Sequence, residues 1–97
     1  LTMVALPPFA KEIHTPGHTQ GSVCYLLSDA EEGAEVLFSG DTLFQSGVGR
    51  TDLPGGNYGQ LMQSLSRLMT LHPRTKVLPG HGGQTTIEQE KDDNPYL

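Results

Sequence analysis

Between Glu12 and Leu27 the chain reads EIHTPGHTQGSVCYLL. The stretch closes on an apolar, β-prone run, Ser22 to Leu27, and carries two histidines four residues apart with Thr15-Pro16-Gly17 between them. That spacing chelates a metal on a helix, but Pro16 and Gly17 forbid a helix there. Proline fixes the backbone on one side of the turn and glycine frees it on the other, so His18 is expected at the apex of a rigid elbow, aimed rather than left to wander. His14 is expected at a sheet edge or behind the residues that do the chemistry.

Working outward, a second β-prone run, Glu35 to Phe38 (EVLF), follows the polar link SDAEEGA, and the two runs read as a hairpin. Tyr58, Leu61, Met62, Leu65, Leu68 and Met69 then repeat at three- and four-residue intervals, predicting an amphipathic helix over NYGQLMQSLSRLMTLHP that stops at Pro73. Tyr58, Met62 and Met69 are expected in its core stripe, and His72 beside the helix C-terminus, where a positive charge is favourable. KVLPGHG reads as a third strand running into a turn. Thr85 or Thr86 caps a last short helix through Glu88 or Gln89. Residues Leu1 to Ala10, broken by Pro7-Pro8, read as an extended lead-in or a strand that stops early. The expected architecture is α/β (α+β): a small sheet of short strands, one long amphipathic helix and a short C-terminal helix. The strand cores VCYLL and VLF are continuous rather than alternating, as in sheets covered on both faces. A single helix covers only one.

Composition narrows the function. Ninety-seven residues allow one small domain, 1–97, with a thin core at 35% hydrophobic residues. The formal charge of −5, with six Lys and Arg against eleven Asp and Glu and no basic cluster, offers nothing to a phosphate backbone, so nucleic acid is not an expected partner. No apolar run approaches the roughly 18 residues of a membrane span, and no leader pattern is visible. The single cysteine, Cys24, sits in an apolar run and reads as a core thiol. A cytoplasmic setting is the expectation.

Three stretches share one construction: TPGHT (Thr15 to Thr19), SGDT (Ser39 to Thr42) and PGHG (Pro79 to Gly82). Each places glycine directly before a single His or Asp, and the last two follow a predicted strand. Any one alone could be a tight turn or a satisfied polar contact. Three aimed ligands at one sheet end look like a metal site, and imidazoles with a carboxylate suit zinc, iron or manganese.

The order of these motifs resembles the metallo-β-lactamase superfamily. HTPGHTQGS, SGDTLF, GVGRTDLPGG, VLPGHGGQTT and the closing EKDDNP are more narrowly similar to its glyoxalase II (hydroxyacylglutathione hydrolase) branch, over nearly the whole chain from Ile13 to Pro95. The resemblance implies the C-terminal half of an αββα sandwich with a two-metal site at one edge. By motif position His18 would complete the first metal's histidine trio, Asp41 would bridge both ions as the catalytic carboxylate, and His81 would bind the second. The implied reaction is thioester hydrolysis of a small molecule by a metal-bridged hydroxide, with two divalent ions, zinc first and iron or manganese as alternatives. Arg50 and Tyr58 are candidate substrate contacts. Thr19 and Asp52, like His14, are candidate supports behind the ligands, Asp52 by pairing with Arg50.

The family's N-terminal His-x-His-x-Asp-His motif is absent, and the four histidines, at 14, 18, 72 and 81, do not form it. The chain, which starts at Leu1 without methionine, is therefore expected to be the C-terminal half of a longer hydrolase. Alone it is expected to be inactive, with weak metal binding or none. The missing half or a second copy would cover the bare sheet. Competing readings are a mononuclear-iron, persulfide dioxygenase-like enzyme and a non-catalytic α/β interaction domain; a β-lactamase proper is disfavoured by the GRTDLPGG loop and the terminal NP.

Overall fold

The structure, a computed structural model, describes residues 10–29 and 34–97. Strands β1 (Ala10–His14), β2 (Val23–Asp29) and β3 (Ala34–Gly40) form an antiparallel meander. Two very short strands follow, β4 (Leu43–Phe44) and β5 (Gly47–Val48), which pair only with each other. Helix α1 (Tyr58–Leu68) then carries the chain to β6 (Lys76–Pro79), which pairs parallel to β3. The chain ends with β7 (Thr85–Thr86), antiparallel to β6, and helix α2 (Ile87–Asp93). The five-stranded order is β1-β2-β3-β6-β7. The lead-in expected over Leu1 to Ala10 lies outside the described residues except for Ala10, which opens β1.

Side chains alternate across a strand, so the register sorts them onto two faces. Cys24 and Leu26 of β2, Leu37 of β3 and Val77 of β6 share one face. Leu61, Leu65 and Leu68, at i, i+4 and i+7 of α1, pack onto it with Leu43 and Ile87. Every one of these nine residues is buried. On the other face Val23, Tyr25, Leu27, Val36 and Leu78 are only half-buried, and Phe38 is 42% exposed. The helices therefore cover one face, whereas the unbroken apolar runs anticipated cover on both; the second face stays half-bare among the described residues.

The ends of α1 refine and in part correct the sequence reading. Asn57 caps its start, its side chain accepting from the Gln60 amide at 2.9 Å. The helix ends at Leu68 rather than near Pro73: Thr70 and Leu71 donate their amides to Arg67 and Leu68, and the Thr70 hydroxyl bonds the Arg67 carbonyl at 2.6 Å, tightening the exit into three-residue turns. His72 thus lies beyond the helix, where its Nδ1 accepts from the Arg74 amide instead of meeting the helix dipole. Tyr58, expected in the core stripe, opens α1 at 60% exposure, and burial begins one turn later at Leu61. Thr86 caps α2 through the Gln89 amide, as expected.

Candidate metal centre

The elbow that carries His18 is held from two sides. Gly17 adopts φ 144, and a Cβ there would lie 2.4 Å from Leu61 Cα, so only glycine lets the loop press against α1. The Asn57 amide donates to the Gly17 carbonyl at 2.7 Å, and the Ser64 hydroxyl donates to the Pro16 carbonyl at 2.8 Å. On the strand side Thr15 donates to the Ser22 carbonyl, and His14 Nε2 donates to the Gln20 carbonyl at 2.9 Å. Below the elbow, buried Thr15 and Thr42 hydroxyls share a 3.2 Å hydrogen bond that links the His18 loop to the turn after β3.

Asp41 follows β3 through Gly40 at φ 51, and His81 follows β6 through Gly80. Because β3 and β6 are parallel neighbours, with Gly40 beside Pro79, both turns leave the same sheet edge, and the Gly80 amide donates to the Gly40 carbonyl at 2.9 Å. Carboxyl ends of adjacent parallel strands are where α/β sheets gather ligands. β2 runs antiparallel to β3, so the loop that precedes it brings His18 to the same edge.

There His18 Nε2 stands 3.8 Å from Asp41 Oδ2, and His81 Nε2 stands 3.6 Å from Asp41 Oδ1. Each imidazole faces a different carboxylate oxygen. The Arg50 carbonyl, which can only accept, lies 2.8 Å from His18 Nδ1, so Nδ1 carries a proton and, in the neutral ring, the Nε2 lone pair is turned toward Asp41. In that form the facing lone pair and carboxylate oxygen can hold a cation between them. Metal bonds of about 2.1 Å to each atom span at most about 4.2 Å, so both separations fit an ion bound by the two partners. No three His, Cys, Asp or Glu side chains enclose one common point among the described residues. The geometry is two His–Asp pairs that share Asp41. The side chains of Asp41 and His81 are 54% and 65% exposed, leaving room for ligands from elsewhere.

The three groups line a cleft of about 310 Å³ with Phe44, Val48, Gly49 and Arg50. The metallo-beta-lactamase superfamily model matches residues 2–81. The chain belongs to that superfamily. It is 49% identical over 92 residues to the probable metallo-hydrolase YqgX of Bacillus subtilis (strain 168), covering 93% of this chain and 42% of that protein. It is 44% identical over 86 residues to the hydroxyacylglutathione hydrolase GloC of Haemophilus influenzae, covering 88% and 39%. Among solved structures it resembles TTHA1623 in a di-iron-bound form, with TM-score 0.83, 43% identity and coverage of 100% and 47%. It also resembles the BLEG-1 B3 metallo-beta-lactamase, with TM-score 0.83, 47% identity and coverage of 97% and 44%. The chain thus spans about two-fifths of the length of the curated relatives it matches. The likeness to BLEG-1 weakens the sequence argument against a β-lactamase, since the loop taken to disfavour it sits in a chain with 47% identity to one.

The cleft also draws on residues, and on a backbone atom, that the sequence reading passed over. Phe44 packs against the His81 imidazole, ring centroids 4.7 Å apart and planes tilted by 49°. Gly49 presses its backbone under Asp41, where a Cβ would stand 2.1 Å from the Asp41 carbonyl. Arg50 acts on His18 through its carbonyl, an atom every residue has, so no side-chain motif announces it. Of the remaining candidates, Arg50 lines the cleft while Nε and Nη2 of its guanidinium bind Asp52 at 2.8 Å each. The hydrogen bonds from Arg50, with help from its own backbone amide, hold the Asp52 carboxyl down to about 2. Thr19 ties the exposed turn by donating its amide to Ser22 Oγ at 3.1 Å and sharing a 2.7 Å hydroxyl bond with it. Tyr58 is not among the residues lining the cleft. No helix among the described residues is long and apolar enough to cross a membrane.

Proposed function

We propose that the protein is a binuclear metallohydrolase that cleaves thioesters of small molecules, with His18 and Asp41 serving one ion and Asp41 and His81 the other. The observation that carries this reading is the Asp41 carboxylate, which offers one oxygen to each histidine. The thioester preference is supported by the likeness to the hydroxyacylglutathione hydrolase GloC. Zinc is the ion we assign first; imidazole and carboxylate donors accept iron as well, and a di-iron-bound neighbour supports that alternative. When bound, such a pair of ions supplies Lewis-acid activation of water and of the scissile carbonyl. The chain's own residues do the rest. The Arg50 carbonyl keeps His18 in its ligating tautomer, Asp41 fixes the spacing of the two positions, and Phe44 and Val48 give the cleft an apolar wall. Arg50, steadied by Asp52, keeps Nη1 for an anionic group on the substrate. The half-bare sheet face around Tyr25 and Phe38 takes the remaining part of the domain or a second copy.

Metal analysis and turnover of the complete protein test this. We expect two metal equivalents and hydrolysis of a hydroxyacyl-glutathione thioester, loss of one equivalent in His18→Ala or His81→Ala, and loss of both in Asp41→Asn. The 97-residue chain alone is expected to bind metal weakly and to turn nothing over. Two equivalents with β-lactam cleavage, or one iron with oxygen uptake on a persulfide, would replace the substrate assignment. A complete protein that binds no divalent metal would end the hydrolase reading.

A further inference from the structure

The closing EKDDNP motif has no part in the site as described, yet it holds a buried carboxylate. Glu90 of α2 is 1% exposed and Asn94, the residue that ends α2, is 3% exposed. A buried carboxylate is retained only where donors satisfy it, and three do so here. The Ser46 amide donates to Oε1 at 2.7 Å, the Asn94 amide group donates to the same oxygen at 3.0 Å, and the Thr85 hydroxyl donates to Oε2 at 2.5 Å. Asn94 also donates to the Gly47 carbonyl at 3.0 Å. Both side chains therefore grip the tip of the β4–β5 hairpin, where Ser46 sits at φ 60, an unfavourable angle for a residue with a Cβ.

A hairpin of two-residue strands does not hold its own position in water. This one is fixed from its base by the Ser39 hydroxyl on the Leu43 carbonyl at 2.7 Å, and from its tip by α2. On it ride Phe44, against the His81 ring, and Val48 in the cleft wall. Glu90 and Asn94 do not line the cleft themselves.

We infer that Glu90 and Asn94 are positioning residues that set the His81 ring, and with it the second metal position, through the β4–β5 hairpin and Phe44. The inference rests on the metal reading of His81, so its test has one readout with metal and one without.

In the complete protein, aromatic NOEs between Phe44 and His81 read the ring contact without metal, and cobalt titration reads the two binding steps. We expect Glu90→Ala and Asn94→Ala to lose the NOEs and to weaken the ion on His81 by about tenfold, the lower end for residues that orient ligands, while the ion on His18 changes less. Glu90→Gln should stay near wild type, since its amide oxygen can still accept from Ser46 and Asn94 and its NH2 can meet Thr85. In a Phe44→Ala background, Glu90→Ala should add little, because the path is already cut. Should Glu90→Ala fail to fold, Asn94→Ala, which leaves Glu90 two donors, carries the test. Intact NOEs in a folded Asn94→Ala protein, equal weakening of both ions, or full additivity with Phe44→Ala would overturn the inference. A wild type with the NOEs but no cobalt binding would leave the brace standing and remove the metal reading.

Discussion

Replacing Gly49 by alanine should damage the metal site from beneath without touching a ligand. The built Cβ stands 2.1 Å from the Asp41 carbonyl oxygen and 3.1 Å from His18 Cβ, whereas real Cβ contacts essentially never fall below 3.0 Å, so at least 0.9 Å must be found. The far end of a flexible side chain could yield that cheaply, but the obstacle is backbone. If the Asp41 peptide moves, the shared carboxylate moves with it. If residues 49 and 50 retreat, the Gly49 amide loses the Thr42 carbonyl at 3.1 Å, and the Arg50 carbonyl leaves His18 Nδ1 at 2.8 Å. Either route displaces a ligand by nearly the ångström that costs on the order of a hundredfold in a preorganised site. The strain itself should cost about 1–3 kcal/mol of stability, as for other overpacked sites. The assay is metal affinity by competition with a chromophoric chelator, alongside urea denaturation of the metal-free protein. Gly21→Ala is the control, because nothing lies within 4 Å of its built Cβ; it should leave metal affinity alone. A Gly49→Ala protein that binds metal within threefold of wild type would refute the reasoning, whatever its stability.

Three further outcomes follow from single contacts. Asn57→Ala removes the cap of α1 and should cost about 1 kcal/mol in urea denaturation, with Asn57→Asp restoring most of it; an unchanged midpoint would show the cap to be idle. Asp52 has its carboxyl lowered to about 2, so the Arg50–Asp52 pair should persist above the ordinary carboxyl range and be lost only as pH falls through about 2. A carboxyl carbon titration of Asp52 centred near 4 would contradict that, and because both partners are exposed the effect on stability should be slight. Cys24 is fully buried, and burial pushes its thiol up despite bonds from Thr15 and Thr42, so a thiol reagent at neutral pH should react only after unfolding. Prompt reaction with the native protein would be the contrary result.

What could be read in the sequence was whatever a side chain or a period announces. The β2–β3 hairpin shows as two β-prone runs, α1 as leucines at i, i+4 and i+7, and the three candidate ligands as residues placed behind glycine. The hidden parts are those with neither period nor side-chain signature. β4, β5 and β7 have two residues each, too short to show alternation. The tautomer of His18 is set by a carbonyl, and the support of Asp41 by the absence of a side chain at Gly49. Tyr58 misled because a helical stripe says which residues share a face, not where along the helix the sheet begins; its first turn overhangs the sheet. His72 misled in the opposite direction, the helix stopping short when Thr70 turned its hydroxyl onto Arg67.

The open features of this chain share one cause in the topology. Placing β6 parallel beside β3 brings Asp41 and His81 out of one sheet edge, while the described helices lie on one face of the sheet and leave the other half-bare. Phe38 pairs with Tyr25 in β2 and Leu78 in β6, so the bare apolar patch runs up the same strands that end at the two ligands. On the proposed reading, whatever buries that patch also reaches Asp41 and His81, whose side chains are exposed. Covering the sheet and completing the two proposed coordination shells would then be a single event. Metal affinity and fold stability should accordingly rise together when the partner surface is present, since an ion bound by both bodies stabilises only the assembled state.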